Sequence, residues 1–470
     1  MTAWLLLFFL IFLGLLVWAS VKSYAKNRSS DEFMLAGSNI GAVLGFLTFA
    51  AALFSAFTFQ GMPDFFRVHG VGAWIFLAFS DGVMVFFVLW FGYKLRAKVK
   101  EHGFKGVAGL LSSCYRTPWA GILFFSCAFI FLVPYVAIQI RGISIFLNAS
   151  LGNSFSPWVW SGGLVVIMLI YAEIGGLKAI VFSDAIQGLL LLVVIGIIGL
   201  SCLSMVGGLS TMFEDVKQSN PALLTLPGPK GLFTTQFLVS STIAIMMIPV
   251  TQPQLTTRLV VVKNLAAVHR MAYAVGFFAI LVILPTLFIG MYGALRYPEA
   301  TSAEFISSAL LYDQAEWVAA LAVVGLFAAC LSTTNAQIFA LGSELRSLLK
   351  GEDKSVMRRT RLAILFFSLV VLVFSVYMSD QLALLARVSF TGTSMMAPVV
   401  LSAVLFNKPP RAVLVTSALA FLVVLLSTVG VIESKSGSWN VDILVYMIHY
   451  SSSGILMGAQ YQRQKKQHEA

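Results

Sequence analysis

Charge is what this chain has least of. Of its 470 residues, 11% are charged and 59% hydrophobic; a soluble chain would carry about 25% charged residues. An ordinary soluble domain is therefore excluded. Cysteine is scarce too: Cys114, Cys127, Cys202 and Cys330 mostly lie in or beside apolar runs, so they read as small core residues rather than a disulfide framework or metal site. There are five histidines, with no HExxH and no other metal-ligand spacing. A phosphate-binding loop and a Ser-His-Asp pattern are also missing, so no enzyme is expected. The short alternating segments of a transmembrane barrel are not found either.

What is present instead is a succession of apolar runs of 18 residues or more, each long enough to cross a bilayer as a helix. The chain reads as an all-α polytopic membrane protein. Length and breaks place about thirteen helices, near 3–22, 40–64, 72–95, 119–148, 157–174, 178–207, 232–253, 268–295, 316–348, 361–379, 381–406, 411–431 and 440–460. The first run, Trp4–Trp18, precedes Lys22, Lys26 and Arg28. A signal peptide has the opposite order, so a retained helix with its N-terminus outside is expected. Counted through thirteen spans, 24 of the 31 Lys and Arg fall in cytoplasmic segments, among them 94–116, 258–270 and 346–361. The outer loops carry acids such as Glu214, Asp215, Glu299 and Glu304. One span more or fewer before residue 346 would scramble that bias. A cytoplasmic C-terminus and a cell-membrane location follow, and the formal charge of +11 is a loop property rather than a sign of nucleic-acid binding.

Two spans look interrupted. "FSAFTFQGMPD" (Phe54–Asp64) places polar residues, Gly61 and Pro63 inside the second helix. "MMIPVTQPQLTTR" (Met246–Arg258) places Pro249 and Pro253 in the corresponding part of the seventh. Taken singly, either break could equally be a mere kink, since proline and glycine are common in membrane helices. The two breaks, however, are five spans apart, so they have opposite orientations. Matched breaks in two inverted halves point to a secondary transporter, since backbone groups freed at mid-membrane are costly unless something binds them. A third stretch, "GLFAACLSTTNAQIFALGSEL" (Gly325–Leu345), carries Ser332, Thr333, Thr334 and Asn335 at mid-span. Helical spacing puts Ala329, Ser332, Thr333 and Ala336 on one face. Two hydroxyls beside a small residue suit a dehydrated Na⁺, which takes hard oxygen ligands. The alternative use of such hydroxyls is back-bonding to the i−4 carbonyl or bonding between helices.

Several segments together resemble the sodium:solute symporter family of proline, pantothenate, sialic acid and sugar carriers. They are "DEFMLAGSNIG" (Asp31–Gly41), "FSAFTFQGMP", "YAEIGGLKAIVFSDAIQG" (Tyr171–Gly188), "QPQLTTRLVVVKN" (Gln252–Asn264) and "AACLSTTNAQ" (Ala328–Gln337). The resemblance implies a leucine-transporter-type five-plus-five inverted repeat with one extra helix before it and two after it. The division would be 1–30 for the first helix and loop, 31–230 and 231–407 for the repeats, and 408–470 for the last helices and tail. It also assigns a Na⁺ site to the carbonyls of Ala51, Phe54 and Ala329 and the hydroxyls of Ser332 and Thr333.

Asp184 is an acid within a span, costing about 2.5–3.5 kcal/mol at a helix centre and less near its end. By resemblance it lies on the ion's exit path or in a second Na⁺ site. The two further hydroxyls of that second site correspond here to Asn335 and Ala336, which puts a second ion in doubt. Solute candidates are Ser55, Thr58 and Gln60 on the broken helix, Asp81, Gln139, Gln252 and two cations, Arg141 and Arg387. Either arginine could hold a carboxylate bidentately. The expected activity is Na⁺-coupled uptake of a small polar solute, a carboxylate or amino acid being favoured over a sugar, by alternating access. The alternatives are an H⁺-coupled symporter and a membrane sensor that acts with a separate signalling partner. Expected partners are the solute, Na⁺ and lipid, with no nucleic acid and no obligate protein.

Overall fold

A computed structural model describes residues 1–23, 39–150, 156–379 and 381–469. Most of the Asp31–Gly41 motif lies outside the described residues. The chain is almost wholly helical; a two-residue antiparallel pair, β1 (Lys435–Ser436) with β2 (Trp439–Asn440), forms the one named sheet among the described residues. Among the described residues, seven helices are long and apolar enough to cross a membrane, or up to nine if each of two bent pairs is one span.

In chain order, α1 (Thr2–Ser23) is followed by α2 (Ala42–Leu53) and α3 (Met62–His69), joined through a π turn at Phe57–Gly61. Next come α4 (Ser80–His102), the short α5 (Val107–Tyr115), α6 (Pro118–Ser150) and α7 (Pro157–Met205). The loop helix α8 (Leu209–Ser219) leads to α9 (Thr235–Met246), α10 (Ile248–Thr251) and α11 (Pro253–Val261). Then α12 (Leu265–Arg296), the six-residue α13 (Ser302–Ser307), α14 (Glu316–Leu348), α15 (Asp353–Tyr377), α16 (Leu382–Ser394), α17 (Ala397–Leu405), α18 (Ala412–Thr428) and α19 (Val441–Glu469) complete the chain.

α7 covers both of the spans expected at 157–174 and 178–207. Helical hydrogen bonding runs through all 49 residues, which if straight would extend about 74 Å, over twice the hydrocarbon thickness. It cannot be straight. Ser161 bonds Ser144, which shares a pocket with Tyr312, while Cys202 meets Gln314, two residues further on. Both ends of α7 therefore lie near Tyr312–Gln314, and the chain doubles back between them.

α14 sits at the centre: 83% of its apolar window is buried, against 17% for α1. It packs against α6, α7 and α1. Its C-terminal end is anchored by Glu344, fully buried, which accepts the N–H groups of Val107 at 2.9 Å and Ala108 at 2.6 Å. These are orphan donors at the start of α5, so a carboxylate there satisfies both hydrogen bonding and the helix dipole.

Three spans are interrupted. α2 and the segment after it meet at 59°, and α16 and α17 at 40°. The α9–α11 span breaks at Met247 and again at Gln252, which is extended (φ −96°, ψ 114°). The sequence reading ended this span at 253; the structure continues it to Val261, because Pro253 opens a helix as readily as it ends one. The third bend was not expected. Its signal is Pro398, whose missing N–H leaves the Ser394 carbonyl without an i+4 partner; the Tyr450 hydroxyl supplies one at 2.9 Å.

Candidate ion and solute site

The first break can be accounted for bond by bond. Phe54 turns extended (φ −91°, ψ 132°), and its N–H makes the last helical bond, to Ala50. The next three N–H groups then lose their helical acceptors. Ser55 N donates to Thr58 Oγ1 at 3.1 Å, Ala56 N to Gln139 Oε1 at 3.0 Å and Phe57 N to Ser55 Oγ at 3.2 Å. Two of the freed carbonyls are also filled by side chains. Tyr135 Oη donates to Leu53 O at 2.9 Å, and Ala51 O accepts Ser332 Oγ at 3.2 Å and Thr333 Oγ1 at 3.1 Å. A buried backbone group must find a partner somewhere, and here α6 and α14 provide them.

The two hydroxyls of α14 thus converge on one carbonyl at the end of α2. Ser332 Oγ also donates to Asp184 Oδ1 at 2.7 Å. The other carboxylate oxygen accepts Thr48 Oγ1 at 2.6 Å and Arg258 Nη2 at 2.7 Å. Arg258 Nε reaches the Thr48 carbonyl and hydroxyl, both at 2.9 Å, and Nη1 reaches Gln254 O at 2.6 Å. Every member is buried: Asp184, Thr48 and Thr333 at 0%, Ser332 and Arg258 at 1% exposure. One carboxylate, one guanidinium, three hydroxyls and backbone carbonyls from α2, α7, α11 and α14 form a closed polar cluster inside an apolar bundle.

Of the expected Na⁺ ligands, Ala51, Ser332 and Thr333 are in direct contact. Phe54 and Ala329 are buried in the same region, but the hydroxyls bond neither carbonyl. Asp184 is a member of the same cluster, bonded by Ser332, Thr48 and Arg258. Asn335, one turn further along α14, is buried with neither side-chain atom partnered. The sequence reading missed Thr48 and Arg258. It counted Arg258 among the cytoplasmic loop charges, and that is corrected here: once α11 is recognised as helical, Arg258 lies in its last turn and its side chain points inward. The remaining signal for it was the buried acid, which needs a cation.

The solute candidates divide. Ser55, Thr58 and Gln139 hold the first break, and Gln139 Nε2 also donates to Ser55 Oγ at 3.2 Å. Gln60 bonds Gly142 O at 3.0 Å. At the second break Gln252 Oε1 accepts Gln254 Nε2 at 2.7 Å, while Gln252 Nε2 and Gln254 Oε1 are buried without partners. Asp81 is buried at the start of α4, and none of these contacts reaches it. Arg141 is apart, lining a pocket of about 360 Å³ with Asn148, Glu304, Ser308 and Tyr312. Arg387 pairs with Asp442 and donates to Ser241 and Ser240, so its charge is answered within the protein.

A profile of the Sodium:solute symporter family matches residues 33–412. The chain is 23% identical over 206 residues to an uncharacterized symporter, YhjB, of Bacillus subtilis, covering 43% of this chain and 41% of that protein. It is 25% identical over 346 residues to the sodium/pantothenate symporter of Haemophilus influenzae, covering 71% of this chain and 69% of that protein. Its fold is shared with a substrate-bound, outward-open Na⁺-coupled sialic acid symporter at a TM-score of 0.75 and 15% identity, covering 97% of this chain and 95% of that one. The match spans more than half of the chain, and with it the broken helices and the cluster at Ser332: the chain belongs to the Sodium:solute symporter family.

Proposed function

We propose that this protein is a secondary transporter that couples Na⁺ entry to uptake of a small polar solute by alternating access. The observation that carries the reading is the convergence of Ser332 and Thr333 on the Ala51 carbonyl at the end of a broken helix. These are hard, neutral oxygens in a dry site, and their lone pairs become Na⁺ ligands once their protons turn away. In this reading Ala51, Phe54, Ala329, Ser332 and Thr333 hold the ion. The ion draws α2 against α14, and the solute sits at the breaks among Ser55, Thr58, Gln139 and Gln252, with Gln60 and Asp81 beside them. Arg141 attracts anionic solutes toward the break from the outer pocket. The architecture proposed is thirteen spans, ten of them in two inverted sets of five, with the N-terminus outside and the C-terminus in the cytoplasm.

The membrane potential contributes about 2.3 kcal/mol per charge per 100 mV. One Na⁺ moving with a neutral solute would then support roughly 50-fold accumulation. A monoanion moving with one Na⁺ would be electroneutral and gain the Na⁺ gradient alone.

The test is the melting temperature of the detergent-purified protein in Na⁺ against K⁺, across a panel of carboxylates, amino acids and sugars. A Na⁺-specific rise, enlarged by one solute class, is expected. No difference between Na⁺ and K⁺ would overturn the assignment and favour proton coupling or a sensor.

A further inference from the structure

Among the described residues, four carboxylates are buried: Asp64, Asp81, Asp184 and Glu344. Three are answered by the protein. Asp64 pairs with Arg67 and Asp184 with Arg258, and Glu344 accepts two backbone N–H groups. Asp81 is the exception. It is 6% exposed, and among the described residues no donor bonds it and no cation acts on it. An ionised carboxylate in an apolar interior needs a cation, and acids inside membrane spans mark substrate and proton paths.

The position of Asp81 narrows the choice of cation. It follows a π turn at Ile75–Phe79, an irregularity common at functional sites. The start of α4 is fixed there by Ser80, whose hydroxyl meets Ile75 O at 3.2 Å and Thr242 Oγ1 of α9 at 3.1 Å. α4 packs on α9 and α10, which lead into the second break. Toward the first break, Tyr135 lies within the electrostatic reach of Asp81, and the Tyr135 hydroxyl donates to Leu53 O at 2.9 Å. Asp81 is therefore one side chain removed from the turn where the solute is proposed to sit. A dehydrated Na⁺ takes a cage of oxygens such as converges at Ala51, whereas no hydroxyl bonds Asp81. Its neighbour is instead the Tyr135 phenol, packed edge-on with the Phe390 ring at 5.2 Å. A lone carboxylate beside aromatic rings suits an ammonium group, which takes one charge-assisted hydrogen bond and the ring faces.

We infer that Asp81 is a specificity-determining residue that holds a protonated amine of the solute, so that this carrier takes amines, amino acids included, rather than sugars or simple carboxylates. The inference rests on the proposed solute site and names the chemistry of its solute.

The test is the melting temperature of the full-length protein in detergent at saturating Na⁺. The compounds are the common amino acids, simple mono- and diamines, the 2-hydroxy acids that match the amino acids, and hexoses. An amine-bearing compound should raise the melting temperature, and its hydroxy counterpart should not. Asp81→Asn should weaken that compound at least about 30-fold, while Asp81→Glu keeps the preference for the amine. Without solute, Asp81→Asn should melt no lower than the unaltered protein, because no donor of the fold loses its partner. A rise given only by compounds without a basic nitrogen, or by none of the amines, would overturn the inference. The Na⁺-against-K⁺ difference would then decide separately whether the transporter reading survives. Equal affinity for the amine in Asp81→Asn would also overturn it, and would point to a proton on Asp81. A Na⁺ midpoint moved in that variant without solute would place an ion there instead. A variant that melts far lower or does not fold would show that the carboxylate serves the fold, which is again against the inference.

Discussion

Replacing Ser332 by alanine probes the ion site at its most connected atom. Ser332 Oγ lies 2.7 Å from Asp184 Oδ1 and 3.2 Å from Ala51 O, two acceptors that share its one proton. In the Na⁺-bound state it keeps the carboxylate bond, which aims its lone pairs at the ion. Loss of the hydroxyl removes one ligand oxygen and the charge-assisted bond that orients it, worth about 1.5–3 kcal/mol. At about 2 kcal/mol, Na⁺ affinity should fall roughly 30-fold. Thr334 is the matched control. It is two positions along the same helix, equally buried, and its hydroxyl has no partner. The assay is a Na⁺ titration of melting temperature at constant ionic strength, made up with K⁺, for the unaltered protein, Ser332→Ala and Thr334→Ala. The midpoint should move by more than an order of magnitude for the first variant and by less than threefold for the second. Equal shifts in the two variants, or an unmoved midpoint in Ser332→Ala, would refute the placement of the ion.

Asp184→Asn should lower the melting temperature sharply, because breaking one side of a buried ion pair costs about 3–5 kcal/mol; adding Arg258→Gln should recover most of the loss, and strictly additive losses would contradict the pairing. Gly392→Ala should fail to give a monodisperse protein on gel filtration, since a Cβ there would lie 2.1 Å from the Phe131 ring, well inside any overpacking the core can absorb. Tyr450→Phe should reduce thermal stability by about 1 kcal/mol through the orphaned Ser394 carbonyl at the third bend, with an unchanged Na⁺ midpoint; a shifted midpoint would mean that this bend is part of the ion site.

The class of molecule was legible because the bilayer imposes it: length of apolar run and placement of Lys and Arg are one-dimensional signals. The breaks at Phe54–Ala56 and at Gln252 were legible for a related reason. Polar residues clustered with glycine and proline inside an apolar run are visible residue by residue, whereas a lone proline such as Pro134 or Pro285 sits inside an unbroken helix. The third bend, at Ser394–Met395, was missed because its cue is one proline, and its compensation comes from Tyr450 and His449, more than fifty residues away. Arg258 failed for a sharper reason. A charge tally counts an arginine near a helix end as a loop charge, and position along the chain cannot say whether its side chain points toward water or inward. The inward choice is fixed by Asp184, 74 positions earlier. For Arg387 the acid that answers it, Asp442, lies 55 positions further along the chain, a distance over which spacing carries no signal.

The same accounting bears on how solute and ion are coupled. The N–H groups of the first break are held by the protein's own side chains, and the chief of these is Gln139, whose amide bonds Ala56 N, Ser55 Oγ and Tyr135 O together. A solute that binds at the break through oxygen atoms competes for those donors, so Gln139 has to be released as the solute enters. The other side of the break is the Ala51 carbonyl, which the hydroxyls of α14 hold and which the proposed ion would take over. In the proposed reading, solute and ion would act on the donors and the acceptors of one interrupted turn, four residues apart at Ala51 and Ser55. Ordering that turn from either side pre-forms it for the other, which is the reciprocity that coupling requires. Na⁺ should then tighten solute binding and solute should tighten Na⁺ binding by the same factor. Gln139→Leu, which leaves the Ala56 N–H without an acceptor, should reduce that factor in both directions at once.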